Sequence, residues 1–419
     1  MLLYIKVGNT LIYRSPVEFS LKANRHYKRF PTNYTTQCGV GVLKSAVLIG
    51  PNNCGKTNFV RIVALIRDII LNRGSRPGRN LFSDDNVSEL SVSFIGDGRQ
   101  YLLQFGYDTE KGEYIYERYA SVERDRYGNT REDDILVRDV KKGEYRAEDE
   151  GLVPVMKVSS RTNIMMHVVD SSQFPSLSLF VSAALSFASK IDIVDMNNIP
   201  LSHTIRVVKG NGERRRKLVA FLRSADVDLD DLKYLSDEEA EKLSFDDSLS
   251  PQEGVLSSVS ADDILHLASV YRGVTVPSVL FDSTGTKKLE ALSSYILDAL
   301  EKGRILVVDE LDGSLHFRLT RAIVALFNNV LNTSAQLIAT VHDVSLLDCR
   351  TLLRQDQIWF AAKDRSDTYL YPLSSFTAGR DRMRGESDIA EMYRKGCLGA
   401  IQEPDLFESL LEVKDESVT

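Results

Sequence analysis

Short apolar runs alternate with polar, turn-forming stretches over residues 1–50. The runs LLYIKV, VEFSL and VLKSAVLIG have the length and spacing of strands that lead into a sheet. From Lys56 onward, apolar residues recur every three to four positions, which predicts a helix that ends before the breakers Gly74 and Pro77. The pattern therefore predicts a strand, a loop and a helix in direct succession.

The middle of the chain changes character twice. Strands are predicted between residues 88 and 120, where SELSVSFI, QYLLQFGY and EYIYERYASV are separated by polar turns. Residues 120–150 are highly charged and rich in turn-forming residues. Helical periodicity returns at residues 178–193 and 214–223, and an acidic stretch follows. We therefore expect residues 150–275 to be mostly helical.

The last third of the chain alternates between the two periodicities. LEALSSYILDAL and LTRAIVALFNNVL fit helices, whereas RILVVDE, QLIATVH, QIWFAAK and TYLYPL fit strands. Strands that alternate with helices in this way predict a parallel sheet with crossover helices. The predicted fold class is thus α/β, with a mixed or parallel sheet and an inserted helical lobe.

Composition limits the class of protein. The chain has 419 residues, of which 43% are apolar and 26% are charged, as in an ordinary globular protein with substantial cores. The net charge of −7 argues against a polycation that coats nucleic acid, so any such contact would need a local basic patch. The four cysteines show no CxxC pair and are expected to be reduced thiols. With no leader and no apolar run of roughly 20 residues, a cytoplasmic protein without a membrane partner is expected.

The loop between the first predicted sheet and helix carries a phosphate-binding pattern. Residues 50–57, GPNNCGKT, fit G-x-x-x-x-G-K-[ST]. In this pattern the glycines let the backbone wrap phosphate oxygens, Lys56 neutralises the β and γ phosphates, and Thr57 offers its hydroxyl to magnesium. The alternative is a glycine-rich turn between a strand and a helix. The residues predicted to contact a nucleotide are Gly50, Asn52, Asn53, Cys54, Gly55, Lys56, Thr57 and Asn58.

A second chemical signal lies in the last third of the chain. The apolar strand RILVVDE delivers Asp309 to its carboxyl end, where it can hold a metal ion directly or through water. Glu310 follows and is placed to polarise an attacking water molecule. The alternative is a strand that ends in two solvated carboxylates. Because this strand lies so far from the phosphate loop in sequence, a large insertion must separate the two halves of one nucleotide fold.

Two further features accompany these motifs. Ser283, Gly285 and Thr286 form a polar turn that runs straight into an amphipathic helix, and taken alone this is merely a helix start. After the acidic pair come the turn LDGSLH and a strand that ends at His342. The series, from phosphate loop to strand-end histidine, spans residues 50–342.

In this order the motifs resemble those of ABC-type ATPases. The segments GPNNCGKTN, STGTKKLEAL, VVDELDGSLHF and ATVHD are more similar to the RecF and SMC side of that superfamily than to transporters. They look like the stand-alone AAA-family ATPases of the AbiL, OLD and RloA kind, which occur in bacterial phage-defence and restriction-associated operons. RTLLRQDQIWFAAKDRSDTYLYPLSSF and YRKGCLGAI also resemble that group, so the resemblance covers both ends of the chain.

The resemblance implies ATP and Mg²⁺ as ligands and assigns roles to the motif residues. Lys56 matches the lysine of Walker A, Asp309 the metal-binding acid of Walker B and Glu310 the general base. His342 matches the switch histidine. The implied activity is hydrolysis of ATP to ADP and phosphate.

The signature turn implies a second subunit. Ser283, Gly285 and Thr286 match the turn that, in such ATPases, contacts the γ-phosphate bound by the opposite subunit. A homodimer or a higher even-numbered homo-oligomer is therefore implied. The turn reads STGT instead of LSGGQ, which weakens an analogy with transporters. Gln100 and Gln104 are both candidates for the Q-loop glutamine, and either could equally be an exposed strand residue.

The resemblance also divides the chain into three parts. Residues 1–120 are expected to form the N-terminal part of the ATPase head with Walker A. Residues 121–275 would form the inserted, mostly helical lobe. Residues 276–419 would complete the head with the signature, Walker B and the switch histidine.

Three functions remain open for such an ATPase. The first is a sensor or regulator of a separate effector protein, expected to be a nuclease, in bacterial anti-phage defence. The second is a RecF/SMC-like DNA-binding clamp in DNA repair, and the third is the nucleotide-binding subunit of a transporter. Nucleic acid could contact the basic residues 214–217 or the segment 24–29, although a solvated surface is the more ordinary explanation for both.

Overall fold

The computed structural model describes residues 1–124, 129–210, 212–242, 266–364, 367–376 and 388–400. The N-terminal half is dominated by an antiparallel sheet whose spatial order is β10-β9-β8-β7-β6-β1-β2. A two-stranded sheet stands beside it. The strands are β1 (Leu2–Gly8), β2 (Val17–Ser20), β3 (Tyr34–Gln37), β4 (Val40–Leu43), β6 (Val87–Gly96), β7 (Arg99–Asp108), β8 (Glu113–Arg124), β9 (Thr130–Asp139) and β10 (Glu144–Ala147).

A second sheet has six strands, which are β5 (Ser45–Ile49), β11 (Ile191–Asp195), β15 (Ile305–Asp309), β16 (Gln336–Val341), β17 (Ile358–Asp364) and β18 (Asp367–Pro372). Their order is β11-β15-β16-β5-β17-β18, and we call this the central sheet. Neighbours are parallel except for the β17–β18 pair, which is antiparallel. Every residue of β5, β15 and β16 is buried, as expected for parallel strands covered on both faces. The predicted α/β class with a mixed sheet is confirmed.

Helices cover both faces of the central sheet. The helices of the described residues are α1 (Lys56–Ile70), α2 (Leu152–Val158), α3 (Met165–Val168), α4 (Pro175–Ser189), α5 (Ser202–Gly210), α6 (Gly212–Ser224), α7 (Asp237–Lys242), α8 (Ser278–Phe281), α9 (Thr284–Lys302), α10 (Phe317–Phe327) and α11 (Ile389–Arg394). Leu48 and Val307 face a core shared with α1, α4 and the antiparallel sheet, whereas Val47 and Val308 face a core shared with α9 and α10. The alternation is the two-residue period of a strand with both faces buried. No described helix is long and apolar enough to cross a membrane.

The charged stretch after residue 120 folds differently from what its composition suggests. Here β8 continues to Arg124, and β9 and β10 follow. Arg118 on β8 makes ion pairs with Glu132 and Asp134 on β9, each at 2.7 Å. Opposite charges on one face of a strand pair stabilise the pairing, so a highly charged sequence can still form strands.

The segment between residues 150 and 275 combines helices with strands. The helical periodicity predicted for residues 178–193 stops at Ser189, and Ile191–Asp195 instead pairs in parallel with β15. That part of the helix prediction is wrong because pairing beside a buried strand overrides local periodicity. The described residues of this segment also contain β12 (Asp231–Tyr234), β13 (Leu267–Tyr271) and the start of β14 (Val274–Pro277), which form a three-stranded sheet. The predicted domain boundaries themselves stay a prediction.

Candidate functional site

The carboxyl ends of β5, β15 and β16 lie at one edge of the central sheet. Strand β16 lies between β5 and β15, with Ile49 opposite Val341 and Val308 opposite Ala339. The loop 50–55 leaves β5 at this edge. Asp309 ends β15 at the same edge. In open α/β sheets ligands bind outside the carboxyl ends of the strands, so this edge is the first place to look for a site.

The loop from Gly50 to Gly55, which we call the P-loop, has a backbone that requires glycine at both ends. A Cβ atom at Gly50 would lie 2.3 Å from the carbonyl oxygen of Ala361. Gly55 has φ +99°, and its added Cβ would lie 2.2 Å from Ile12 Cδ1. Asn53 also has a positive φ, of 59°. This compact turn leads directly into α1, which begins at Lys56 as predicted.

Lys56 is folded back into the P-loop. Its side chain is 6% exposed, and Nζ donates to the carbonyl oxygens of Gly50 at 2.7 Å and Pro51 at 2.9 Å. Burial lowers the pKa of Lys56. The charges of Cys54, Asp309, Glu310 and Asp312 raise the same pKa, so the three carboxylates lie within its electrostatic range. The two motifs that are distant in sequence thus lie at the same edge of the central sheet.

The other P-loop side chains differ in accessibility. Asn52, Asn53 and Thr57 are exposed, and Asn58 is half-buried. Cys54 is buried beneath the loop, and burial raises the pKa of its thiol. The backbone amide of Cys54, not its side chain, is therefore the group that could face a ligand.

The acidic pair is organised by a hydroxyl that the sequence analysis did not single out. Asp309 is 5% exposed, and Thr340 Oγ1 on β16 donates to its Oδ1. The backbone N–H of Glu310 donates to the same hydroxyl oxygen at 2.8 Å. Glu310 has φ +56°, a left-handed conformation that is rare for a residue with a side chain. Thr340 therefore fixes both the direction of Asp309 and the backbone from which Glu310 projects.

Asp312 is a second residue that the motifs did not reveal. Its Oδ2 accepts hydrogen bonds from the backbone N–H groups of His342 at 2.7 Å and Asp343 at 2.6 Å. The turn after β15 is thereby tied to the end of β16. The His342 side chain is exposed at this edge. An acid in a turn such as LDGSLH carries no distinctive spacing, so no sequence signal marks it.

The predicted signature turn forms the start of α9. Ser283 Oγ accepts from the backbone N–H of Thr286 at 3.1 Å, which makes Ser283 the N-cap of a 19-residue helix. A Cβ atom at Gly285 would lie 3.0 Å from the carbonyl oxygen of Ser314. A cleft of about 540 Å³ opens where this turn meets the Ser314 turn, and Arg318 also lines it. The turn is thus preformed and packed against the segment that follows Asp312.

The two Q-loop candidates lie elsewhere. Gln100 and Gln104 are both on β7 of the antiparallel sheet. Their amides donate to Ser93 at 3.2 Å and to Ser91 at 3.4 Å. Both therefore make hydrogen bonds within their own sheet, and the Q-loop assignment stays open.

Comparison with known proteins gives one family, and two of the similar solved structures are SMC heads. The profile of the family described as "AAA domain, putative AbiEii toxin, Type IV TA system" matches residues 45–161 and 188–348. An SMC head domain from Thermotoga maritima is 11% identical with a TM-score of 0.41, and covers 88% of this chain and 98% of its own. The SmcHead bound to the C-winged helix domain of ScpA is 10% identical with a TM-score of 0.42, and covers 88% and 97%. No curated protein matched.

Proposed function

Because this chain belongs to the AAA domain family whose profile matches residues 45–161 and 188–348, we propose that it binds ATP with magnesium and hydrolyses the nucleotide. One observation carries the proposal: the P-loop follows β5 and the acidic pair ends β15, so both lie at the same edge of the central sheet, on either side of β16. The alternatives of a plain glycine turn and of two solvated carboxylates leave this convergence unexplained.

The P-loop and the first turn of α1 are the proposed phosphate site. The backbone amides from Asn52 to Thr57 would surround phosphate oxygens, and the N-terminus of the 15-residue helix α1 favours a negative charge there. Lys56 would exchange its hydrogen bonds to the Gly50 and Pro51 carbonyls for bonds to phosphate. Asn58 follows on the same turn of the helix.

Thr57 and Asp309 are the proposed magnesium ligands. Both offer oxygen atoms, which magnesium prefers, and Thr57 is exposed toward solvent. Among the described residues there is no group of three or more His, Cys, Asp or Glu side chains that could hold a metal. The pair of Thr57 and Asp309 fits magnesium, which takes few protein ligands and completes its shell with water and phosphate. When bound, the ion supplies positive charge that neutralises the phosphates.

Glu310 is the proposed general base, and His342 is proposed to contact the γ-phosphate region. Glu310 directly follows Asp309, and the exposed His342 directly follows β16, the strand between β5 and β15. A carboxylate at this position can accept a proton from an attacking water molecule.

A second copy of the chain is the proposed partner for closing the site. The signature turn of Ser283, Gly285 and Thr286 is packed against the Ser314 turn of its own chain and lines a surface cleft. A helix N-terminus presented in this way would suit the γ-phosphate held by another subunit. We therefore propose an ATP-dependent homodimer, with higher even-numbered assemblies built from it.

The proposed role in the cell is that of a sensor or regulator acting on a separate effector, which we expect to be a nuclease, in anti-phage defence. The family description, which names an AbiEii-type toxin of type IV systems, supports an association with defence. The proposed dimer would give a mechanical output, because removal of a bridging γ-phosphate would release the two subunits.

A DNA-binding clamp is the second candidate, and one observation favours it. The buried guanidinium of Arg354 donates to the backbone carbonyls of Asn24 at 2.8 Å, Tyr27 at 2.9 Å and Arg29 at 3.3 Å. It thereby fixes a loop whose basic side chains at Arg25, His26, Lys28 and Arg29 are exposed. A preformed basic loop is suited to phosphate contacts.

The substitution Glu310→Gln tests the proposed hydrolysis. Without the base, ATP should still bind while turnover falls by about a hundredfold or more, and the dimer should accumulate. Steady-state phosphate release and size-exclusion chromatography with ATP measure the two effects. Glu110→Gln is a matched control, because Glu110 is an exposed carboxylate in the turn between β7 and β8 that accepts from an asparagine amide at 2.7 Å. Unchanged turnover in Glu310→Gln would remove Glu310 from this role.

A further inference from the structure

The proposed base makes one side-chain contact that the roles above do not use. The amide nitrogen Nδ2 of Asn197 donates to Glu310 Oε2 at 2.8 Å. Asn197 is exposed and Glu310 is half-buried. The bond therefore restrains a carboxylate that stands at the surface of the proposed catalytic edge and could otherwise turn.

The position of Asn197 is fixed by the end of β11. Asp195 pairs with Asp309 in the parallel register, and the N–H of Met196 donates to the carbonyl oxygen of Asp309 at 3.1 Å. The N–H of Asn197 donates to Asp195 Oδ1 at 2.9 Å. The turn that carries the amide is thus anchored to the same strand end as its acceptor.

The direction of the bond follows from the strand order. Strand β11 flanks β15 on one side, whereas β16 and β5, with the P-loop, lie on the other. A bond to Asn197 draws the Glu310 carboxylate toward β11, away from the side that carries Lys56. A general base must come within hydrogen-bond reach of the water it activates, directly or through one further water molecule.

We infer that Asn197 is a positioning residue that restrains Glu310, holding its carboxylate on the β11 side and limiting ATP hydrolysis until the hydrogen bond is broken. This inference rests on the proposed function. It adds a regulatory contact that none of the recognised motifs contains.

Contacts connect Asn197 to α9, the helix that begins at the signature turn, and a movement of α9 could break the bond. The chain runs from Asn197 into α5, which packs on α9. Thr204 Oγ1 donates to the carbonyl oxygen of Glu290 at 3.0 Å, and His203 Nδ1 lies 2.9 Å from Ser294 Oγ. A shift of α9 when a second copy docks on its N-terminal turn would therefore be transmitted through α5 to Asn197. Docking of a second copy at the signature turn would thereby release Glu310 of the same chain from Asn197.

The test is steady-state ATP hydrolysis by the full chain with Asn197→Ala and Asn197→Asp. Neither side chain can donate to Glu310, and Asp also repels it. Both variants are expected to raise kcat roughly fivefold, the factor that corresponds to about 1 kcal/mol for one hydrogen bond. KM should stay within about twofold, because the amide is proposed to act on the base and not on nucleotide binding.

Two controls separate this effect from a general structural one. Asn86→Ala removes an amide just before β6 that donates to Glu110 at 2.7 Å, and it should leave kcat unchanged. Asn197→Ala combined with Glu310→Gln should be no faster than Glu310→Gln alone, because the gain acts through the base.

The outcomes also distinguish this inference from the proposed function. An active wild-type chain whose kcat is unchanged or lowered by both Asn197 variants overturns the restraint while the ATPase assignment stands. A gain that persists in the double variant also overturns it. A wild-type chain and Asn197 variants that all fail to hydrolyse ATP refute the proposed function, and the restraint with it.

Discussion

At the residue scale, the two P-loop glycines are required for different physical reasons. At Gly50 the obstacle is a backbone carbonyl, that of Ala361, which cannot move without displacing β17. At Gly55 the obstacle is the flexible end of Ile12, but the backbone itself has φ +99°. Gly50 is therefore limited by space, whereas Gly55 is limited by both space and conformation.

Gly50→Ala should weaken ATP binding together with folding stability. The added methyl group forces the loop or β17 to shift, at a cost of about 1–3 kcal/mol. Urea unfolding and titration with ATP measure the two effects. Gly78→Ala is the matched control, because a Cβ atom there has no neighbour within 4 Å. Unaltered ATP affinity in Gly50→Ala would show that the loop shape is not needed for binding.

A site residue can be recognised from the sequence only where its role requires a fixed position relative to neighbouring residues of the chain. Lys56 and Thr57 belong to a contiguous pattern, and Asp309 ends an apolar run, so both signals can be read from one sequence. Thr340 and Asn197 act through contacts between neighbouring strands. Such contacts depend on strand order and register, which a single sequence does not specify.

At the element scale, helix α9 carries a buried carboxyl group that anchors it to the preceding segment. Glu290 is fully buried and accepts from Ser278 Oγ at 2.8 Å. Burial, and secondarily the charge of Asp282, raises the pKa of Glu290 well above its usual value. The folded chain therefore binds this proton more tightly than the unfolded chain does, and the associated stability falls as pH rises above the unfolded pKa.

Glu290→Gln should consequently become more stable relative to wild type as pH increases. Glutamine has the shape of the protonated acid and does not titrate. Urea unfolding of both proteins at about pH 5 and pH 8 should show the difference in free energy shifting in favour of the variant at the higher pH. A difference that is the same at both values would mean that Glu290 titrates alike in the folded and unfolded chains.

The elements themselves were predictable where local periodicity and tertiary context agree. Helix α1 begins at Lys56 as its pattern predicts, because its apolar face is buried in the core. Strands β9 and β11 were missed. The first owes its pairing to cross-strand ion pairs and the second to the buried neighbour β15, and neither cause is local in sequence.

At the scale of the whole molecule, the two basic segments differ in how their charges are used. Arg214 pairs with Asp298 and Glu301, and Lys217 pairs with Glu301. These pairs offset much of the positive charge along α6. The loop held by Arg354 instead presents its basic side chains to solvent.

Replacing Arg214, Arg215 and Arg216 by alanine should therefore leave DNA affinity unchanged. Replacing Arg25, Lys28 and Arg29 should weaken any DNA binding and reduce its dependence on salt, because fewer phosphate contacts release fewer counterions. Fluorescence anisotropy with duplex DNA at two salt concentrations measures both. A loss of affinity confined to the α6 variant would reverse this assignment.

The central claim is that two distant segments act on one nucleotide and its metal ion, and the magnesium dependence of ATP affinity tests it most directly. Calorimetric titration of ATP with and without magnesium should show a magnesium-dependent gain in the wild-type chain. Asp309→Ala should abolish that gain while Lys56→Ala weakens binding in both conditions, because the metal ligand and the phosphate ligand lie on different segments of one site. A full magnesium gain in Asp309→Ala, or unaltered ATP affinity in Lys56→Ala, would contradict the claim.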